Sequence, residues 1–220
     1  MKATIAAGSF KETVSSITPT ASGSETSKAT GAYSFVTHLG QFSVDTGALL
    51  GTVDVVVSGA TLYIKVPAAL VATTKGKPWV SAALDNPPSV PGTGNITSLA
   101  GGADPSRVLE AIQHAATAVT KVGSSTVNGA ASTQYKVTID LTKDSSPLAA
   151  SEAKLIGGSK EIDDVYVAAG GQIVKVVQHV ALSGNATGTI TSDYTTFGTA
   201  VTATPPPASG VIDAKQVLGQ

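Results

Sequence analysis

The chain has 220 residues, enough for one domain with a substantial core, and its 14 basic and 15 acidic side chains leave a formal net charge of -1. This balance excludes the strongly basic surface that binds nucleic acid or an anionic membrane. Cysteine is absent, which excludes disulfides, thiolate metal ligands and a cysteine nucleophile. Charged residues make up only 13% of the chain, about half the usual share, and this composition favours β-structure and turns.

The residue pattern in the first half of the chain predicts a series of strands. Alternating apolar and polar positions predict strands over residues 10–17, 30–37 and 40–45. A hairpin follows, in which residues 58–60 form the turn between strands 52–57 and 61–66. Its pattern places one apolar set on one face and a second set on another: Val53, Val55 and Val57, then Leu62, Ile64 and Val66.

The middle of the chain carries the helix signals. Residues 85–102 are rich in proline and glycine and are predicted to form an irregular loop. Asp104 can cap a helix that has Pro105 at its first position. Apolar residues then recur at helical spacing: Val108, Leu109, Ile112, Ala115, Ala116 and Val119. A second helix is predicted over residues 147–156, and a short one after Asp213.

Two further β-units surround the second predicted helix. The first is a hairpin over residues 119–141, whose Asn128-Gly129 suits a type I′ turn. Beyond this turn, odd-numbered apolar residues from Tyr135 to Leu141 alternate with polar ones, which predicts a strand with one buried face. The second unit is a meander over residues 163–196. In all, about nine strands are expected.

These elements predict one α+β domain over residues 1–220 that is mostly antiparallel β-structure. Long meanders of one-sided strands curl into barrels or half-barrels, and helices then cover the open face. The proline-rich tail, residues 204–220, is expected to end in the short helix.

The search for catalytic chemistry finds one partial motif. Ser151 and Lys154 match the S-x-x-K of penicillin-binding proteins, but no K-[ST]-G strand follows. His38, His114 and His179 lack metal-ligand spacing. The acidic group Glu161, Asp163 and Asp164 could bind a cation, although such a cluster is usually a solvated strand end. We therefore predict no catalytic residue, no metal site and no cofactor.

Several phrases of the sequence resemble the LppX/LprG-type lipoproteins of mycobacteria and their actinobacterial relatives. They occur in order along most of the chain: VSGATLYIK at 57–65, GKPWV at 76–80, DPS at 104–106, the segment 165–176 with its two central glycines, and DYTTFG at 193–198. The resemblance implies a LolA-like fold, in which a curved antiparallel sheet forms an open half-barrel and helices plug its concave side.

The resemblance also implies a role. Proteins of this type carry acylated lipids or glycolipids across the cell envelope, tethered to the membrane through a lipidated cysteine, and a membrane transporter is an implied partner. The chain has no cysteine, so the tether lies outside it or the protein is an unanchored relative. An extracytoplasmic location is expected, and the chain as given is predicted to be soluble and monomeric.

An apolar cavity is what such a ligand needs, and the inward-facing positions are the candidate lining. They are Val55, Val57, Leu62, Ile64, Val108, Leu109, Ile112, Tyr135, Val137, Val165 and Val167. Two other functions stay open. One is an interaction or sensor protein of the same fold with a filled cavity, and the other, more remote, is a serine hydrolase of the penicillin-binding type.

Overall fold

The computed structural model describes residues 1–20, 23–45, 51–84, 109, 112–143, 160–181 and 187–218. Within them, twelve strands form a single sheet. The strands are β1 Ser9–Thr20, β2 Gly23–Ser34, β3 Leu39–Asp45, β4 Thr52–Ser58, β5 Thr61–Lys65, β6 Trp79–Ala83, β7 Ala116–Val127, β8 Ala130–Asp140, β9 Lys160–Ala168, β10 Ile173–Ala181, β11 Thr187–Thr195 and β12 Val211–Asp213.

The strand order is β12-β6-β5-β4-β3-β2-β1-β11-β10-β9-β8-β7, so the chain runs as two meanders joined where β1 pairs with β11. All neighbours are antiparallel except β12 and β6. The sheet is not closed, since β12 and β7 form its two edges. The prediction of a mostly antiparallel, open sheet is confirmed, although it has twelve strands rather than about nine. The second predicted strand begins earlier, at Gly23, and residues 35–37 lie in a turn.

The hairpin of β7 and β8 confirms the predicted turn chemistry. Asn128 and Gly129 have φ angles of 50° and 79°, which are the positive values that a type I′ turn requires. The predicted alternation in β8 is also present, because Val137, Ile139 and Leu141 are buried while Lys136, immediately before them, is exposed.

Regular helices are few among the described residues. Helix α1 spans Lys2–Ala6 and helix α2 spans Ala214–Leu218. Short 3₁₀ helices cover Ala68–Thr74, Leu141–Lys143 and Ala208–Gly210. Residues 109 and 112–115 are helical. The predicted helix was extended too far, because Ala116 and Val119 belong to β7 and pair with Ile139 and Val137. Hydrogen-bonded pairing of β7 with β8 outweighs the helical spacing of the apolar residues at these positions. Residues 147–156 lie outside the described part of the chain.

The large hydrophobic core lies on one face of the sheet, which we call the inner face. Helical residues Leu109, Ile112 and Ala115 belong to this core or pack against it. In its centre the Phe42 ring covers two glycines on neighbouring strands, Gly31 and Gly40. A smaller cluster joins β6 to β12 and α2 through Val80, Ala82, Ile212 and Ala214, with Val66 and Val217 against it.

Candidate functional site

The inner face is built by alternation along each strand. Residues directly opposite each other in an antiparallel pair share a face, so the pairs Val55 with Ile64 and Val57 with Leu62 bring β4 and β5 together on the inner face. This corrects the prediction that the two apolar sets of the hairpin occupy different faces. A two-residue period on both strands allows either arrangement, and only the register decides. Val66 lies beyond β5 and packs in the smaller cluster.

The structure brings the predicted lining residues together, with Val108 outside the described part of the chain. Seven of them are members of the inner-face core: Val55, Val57, Leu62, Ile64, Leu109, Val137 and Val165. Ile112, Tyr135 and Val167 pack against it and are only partly buried. These ten side chains thus form one continuous apolar surface. Whether it holds a ligand stays a prediction.

Packing on the inner face loosens towards β7, the edge strand of the sheet. Val57 and Leu62, near the other edge, are completely buried. Tyr135 on β8 and Val167 on β9 are partly accessible. On β7 itself, Val119 lies opposite Val137, and therefore on the inner face, yet it is 61% exposed. The apolar inner surface consequently reaches solvent along the β7 edge. Sequence analysis missed Val119 as an inner-face residue because it assigned it to the end of a helix as well as to a strand.

Two carboxyl groups also face inwards, which the sequence analysis did not predict. Glu161 and Asp163 on β9 are 4% and 0% exposed, so the interpretation of this cluster as a solvated strand end is wrong for these two. They continue the inward alternation of Val165 and Val167, and this two-residue period was the signal that could have placed them. Gln178 Nε2 on β10 donates to Glu161 Oε1 over 3.2 Å.

Burial raises the pKa of Glu161 above its ordinary value of 4.5, and hydrogen bonds with Asp163 and Gln178 offset part of this effect. The folded protein therefore keeps this proton to a higher pH than the unfolded chain does. The resulting contribution to stability is fully present below pH 4.5 and is lost as the pH rises through the folded-state pKa.

The variant Glu161→Gln tests this pH dependence. Glutamine keeps an acceptor for Gln178 and cannot ionise, so the variant should gain stability relative to the wild type as the pH is raised from about 4 to about 8. Urea unfolding at several pH values measures the difference, and Glu25→Gln, in the exposed first part of β2, is the control. A difference that stays constant with pH, or that changes in the opposite direction, would contradict the expectation.

A third buried carboxyl group belongs to Glu12 on β1, which is 2% exposed. It lies between Tyr194 on β11 and Gly31 on β2 in the ladder, so it also points inwards. Ser192 and Ile190 continue the inner face on β11. The inner surface is therefore apolar with embedded polar groups, and it is not a purely hydrocarbon lining.

The outer face carries a polar ladder across β8, β9 and β10. Asp164 Oδ1 accepts from Gln134 Nε2 over 3.1 Å, and its Oδ2 lies 2.9 Å from His179 Nε2. Burial raises the pKa of Asp164, but the hydrogen bonds from His179 and Gln134 outweigh it and bring the net pKa down. Among the described residues no three His, Cys, Asp or Glu side chains are grouped so that they could hold a metal ion. Ser151 and Lys154 fall outside the described residues.

Comparison with known proteins defines the fold. No protein-family model matches the chain, and no curated protein sequence matches it significantly. Among solved structures, the lipoprotein LppX of Mycobacterium tuberculosis matches over 92% of this chain and 95% of its own, with a TM-score of 0.54 and 14% sequence identity. The chain has the LppX fold. It is a curved half-barrel, as the sequence resemblance implied.

Two further solved structures align over similar lengths. LprF of Mycobacterium bovis covers 93% of this chain and 92% of its own at 17% identity, with a TM-score of 0.46. A LolA-superfamily protein of Nitrosomonas europaea covers 89% of each chain at 9% identity, with a TM-score of 0.37. The apolar surface described above lies on the inner face of this half-barrel.

Proposed function

We propose that this protein is a cell-envelope lipid carrier that binds an acylated lipid or glycolipid against the concave inner face. The observation that carries the proposal is the continuous apolar surface of that face, which is closely packed at Val57 and Leu62 and accessible at Tyr135, Val167 and Val119. An acyl chain lying along the accessible part would be removed from water.

The energetics support a ligand of this kind. Removing apolar groups from water contributes about 0.8 kcal/mol per CH₂, so a chain of even moderate length binds well without any charged contact. An apolar face of this kind, if it encloses a concave site, is what such ligands prefer. The role does not require catalysis, and the proposal is of a non-enzymatic, monomeric protein.

The proposed location is outside the cytoplasm, at the cell membrane or in the envelope, with a membrane transporter as the partner that loads or unloads the lipid. The tether would be a lipidated cysteine, which this chain does not contain. None of the helices among the described residues has the length and apolar character needed to cross a bilayer.

Native mass spectrometry of the protein, purified gently from an actinobacterial host, tests the proposal directly. We expect adducts whose masses match acylated lipids, and organic extraction should release them. Val167→Trp fills the accessible part of the inner face and should reduce the bound lipid to about a tenth or less, because a larger side chain takes the volume of several CH₂ groups.

Ile162→Trp is the matched control, since Ile162 lies on the same strand, β9, but on the outer face, where it is 45% exposed. It should leave the bound lipid unchanged. Equal loss in both variants, or no lipid on the wild-type protein, would contradict the carrier function.

A second candidate, an interaction or sensor protein with a filled interior, is supported by the close packing of Val55, Val57 and Leu62. It predicts a protein without bound lipid. The remote alternative, a serine hydrolase acting through Ser151, predicts labelling by a fluorescent penicillin or a fluorophosphonate. Absence of label would remove it.

A further inference from the structure

At one end of the half-barrel, the described residues form a surface that carries few charged side chains. We call it the α1 end, and it consists of residues 1–8 and the connections 35–38, 58–60, 128–129, 169–172 and 196–199. Backbone hydrogen bonds join three of these connections to residues 1–8, to β1 or to one another: Phe35 N to Gly8 O, Gly59 N to His38 O, and Gly198 N to Ser9 O, each 2.9 Å. These three connections and residues 1–8 are therefore not independent loops.

Two apolar side chains project from the α1 end. Val36 is 78% exposed and Ile5 is 42% exposed. Both lie beside Gly8, whose N–H donates to Ile5 O over 3.0 Å and where an added methyl group would meet Val36 Cγ2 at 3.5 Å. Single exposed apolar residues need no explanation, whereas contiguous apolar patches mark interaction sites, and these two residues approach the same glycine.

The charge distribution separates this end from the opposite one. On the α1 end the ionisable side chains are Lys2 and His38, and no described residue of this surface is a carboxylate. The opposite end carries both signs, with these residues in or beside its turns: Asp45, Lys65, Lys75, Lys77, Lys143 and Lys160. The net charge of -1 for the whole chain conceals this difference.

Aromatic residues next to the exposed side chains pack against the core. Phe35, next to Val36, lies 5.3 Å from Phe10 and 5.6 Å from Tyr33 between ring centroids. Phe197, from another connection of the same end, lies 6.3 Å from Phe10. An apolar path of aromatic rings thus links the tip of the α1 end with the inner face.

We propose that the α1 end docks on the surface of a lipid bilayer, with Val36 and Ile5 inserted among the headgroups and Lys2 beside the phosphates. A surface with apolar projections and with no carboxylate among its described residues suits the interface, and its lysine is attracted to anionic lipid. Among the described residues of this surface, a second copy of the chain offers Lys2 no carboxylate. The proposal builds on the proposed function, since a lipid carrier must contact the membrane that supplies or receives its lipid.

Vesicle flotation tests the docking. The wild-type protein should float with vesicles of about seven parts phosphatidylcholine to three parts phosphatidylglycerol. Val36→Asp and Ile5→Asp should each weaken this association about tenfold, because each exchanges buried CH₂ and CH₃ groups for a carboxylate. Lys2→Gln should weaken binding to the anionic vesicles and leave binding to pure phosphatidylcholine unchanged.

Ile17→Asp is the matched control, because Ile17 is 46% exposed but lies on β1 towards the opposite end. It should float like the wild type. Equal weakening by Ile17→Asp and Val36→Asp overturns the proposal, and so does failure of the wild-type protein to float with either vesicle. A dimer in solution that Val36→Asp abolishes, without vesicle binding, assigns the surface to a second copy and also overturns it.

Native mass spectrometry of the same samples separates the two proposals. Val36→Asp should keep its bound lipid, because Val36 is not on the inner face. Bound lipid without flotation overturns the bilayer docking and leaves the carrier function intact. Flotation without bound lipid overturns the carrier function and leaves the docking intact.

Discussion

Alanine at Gly31 is expected to destabilise the protein by about 3 kcal/mol or more, the upper range for overpacking a core. A methyl group there would lie 2.2 Å from the carbonyl oxygen of Gln41 and 2.4 Å from Cδ1 of Phe42. Neither neighbour can move freely, because one is backbone of the paired strand β3 and the other is a ring in the centre of the core. Thermal unfolding should show a decrease in Tm of about 10 °C.

The matched control is Gly123→Ala on β7, where an added methyl group meets nothing within 4 Å. Alanine is better than glycine within a strand, so this variant should change stability by less than about 1 kcal/mol. If Gly31→Ala unfolds within about 2 °C of the wild type, the Phe42 ring does not cover Gly31 as described.

The second large effect is expected from Phe10→Ala. Phe10 is 1% exposed and its ring contacts four others, with Tyr194 nearest at 5.0 Å in an edge-to-face arrangement. The remaining three rings are those of Tyr33, Phe35 and Phe197. Truncating a buried phenylalanine typically costs about 3–5 kcal/mol, and the lost aromatic pairs add to this cost. Urea unfolding should therefore show a much lower midpoint.

Phe35→Ala serves as the comparison for Phe10→Ala. Phe35 belongs to the same cluster but is only partly buried, so its truncation leaves a smaller cavity and should cost less. A loss for Phe35→Ala that equals or exceeds the loss for Phe10→Ala would show that the centre of this cluster lies nearer the α1 end than the contacts indicate.

Two apolar surfaces of this molecule reach solvent, and we assign them different roles. The inner face near β7 is proposed to hold the lipid, and the α1 end is proposed to contact the bilayer. Val167→Trp changes the first and Val36→Asp changes the second, and the two positions lie in different elements. Their effects on bound lipid and on flotation should therefore be independent.

The buried carboxyl groups affect how the inner face can be used. Glu161 and Asp163 lie on the inner side of β9, next to Val165 and Val167. Because burial raises the pKa of Glu161, the charge of this face depends on pH. A loss of lipid on raising the pH that is absent in Glu161→Gln would connect this titration with cargo binding.

Much of the architecture was predictable from local patterns. Alternation along β8 and the Asn128-Gly129 turn identified a hairpin, because a two-residue period and positive φ angles are properties of short segments. The phrases from residues 57–65 to 193–198 indicated the LppX-like fold, which the solved structure of LppX confirms at 14% identity. The apolar residues of the inner face followed from the same alternation.

What could not be predicted depends on neighbours that are distant in the sequence. Ala116 and Val119 fit a helix equally well until pairing with Ile139 and Val137 makes them part of β7. Alternation places Glu161 and Asp163 on the same face of β9 as Val165 and Val167, but that this face is buried was decided only when the sheet placed β9 between β8 and β10.

The sequence by itself determined the strands, the tight turn and the class of fold, since these depend on period and backbone conformation within a few residues. Only the tertiary structure decided the register between β4 and β5, the burial of three carboxyl groups on the inner face, and the approach of Val36 to Gly8. Register and burial are set by which strand becomes a neighbour, and a period of two residues leaves that choice open.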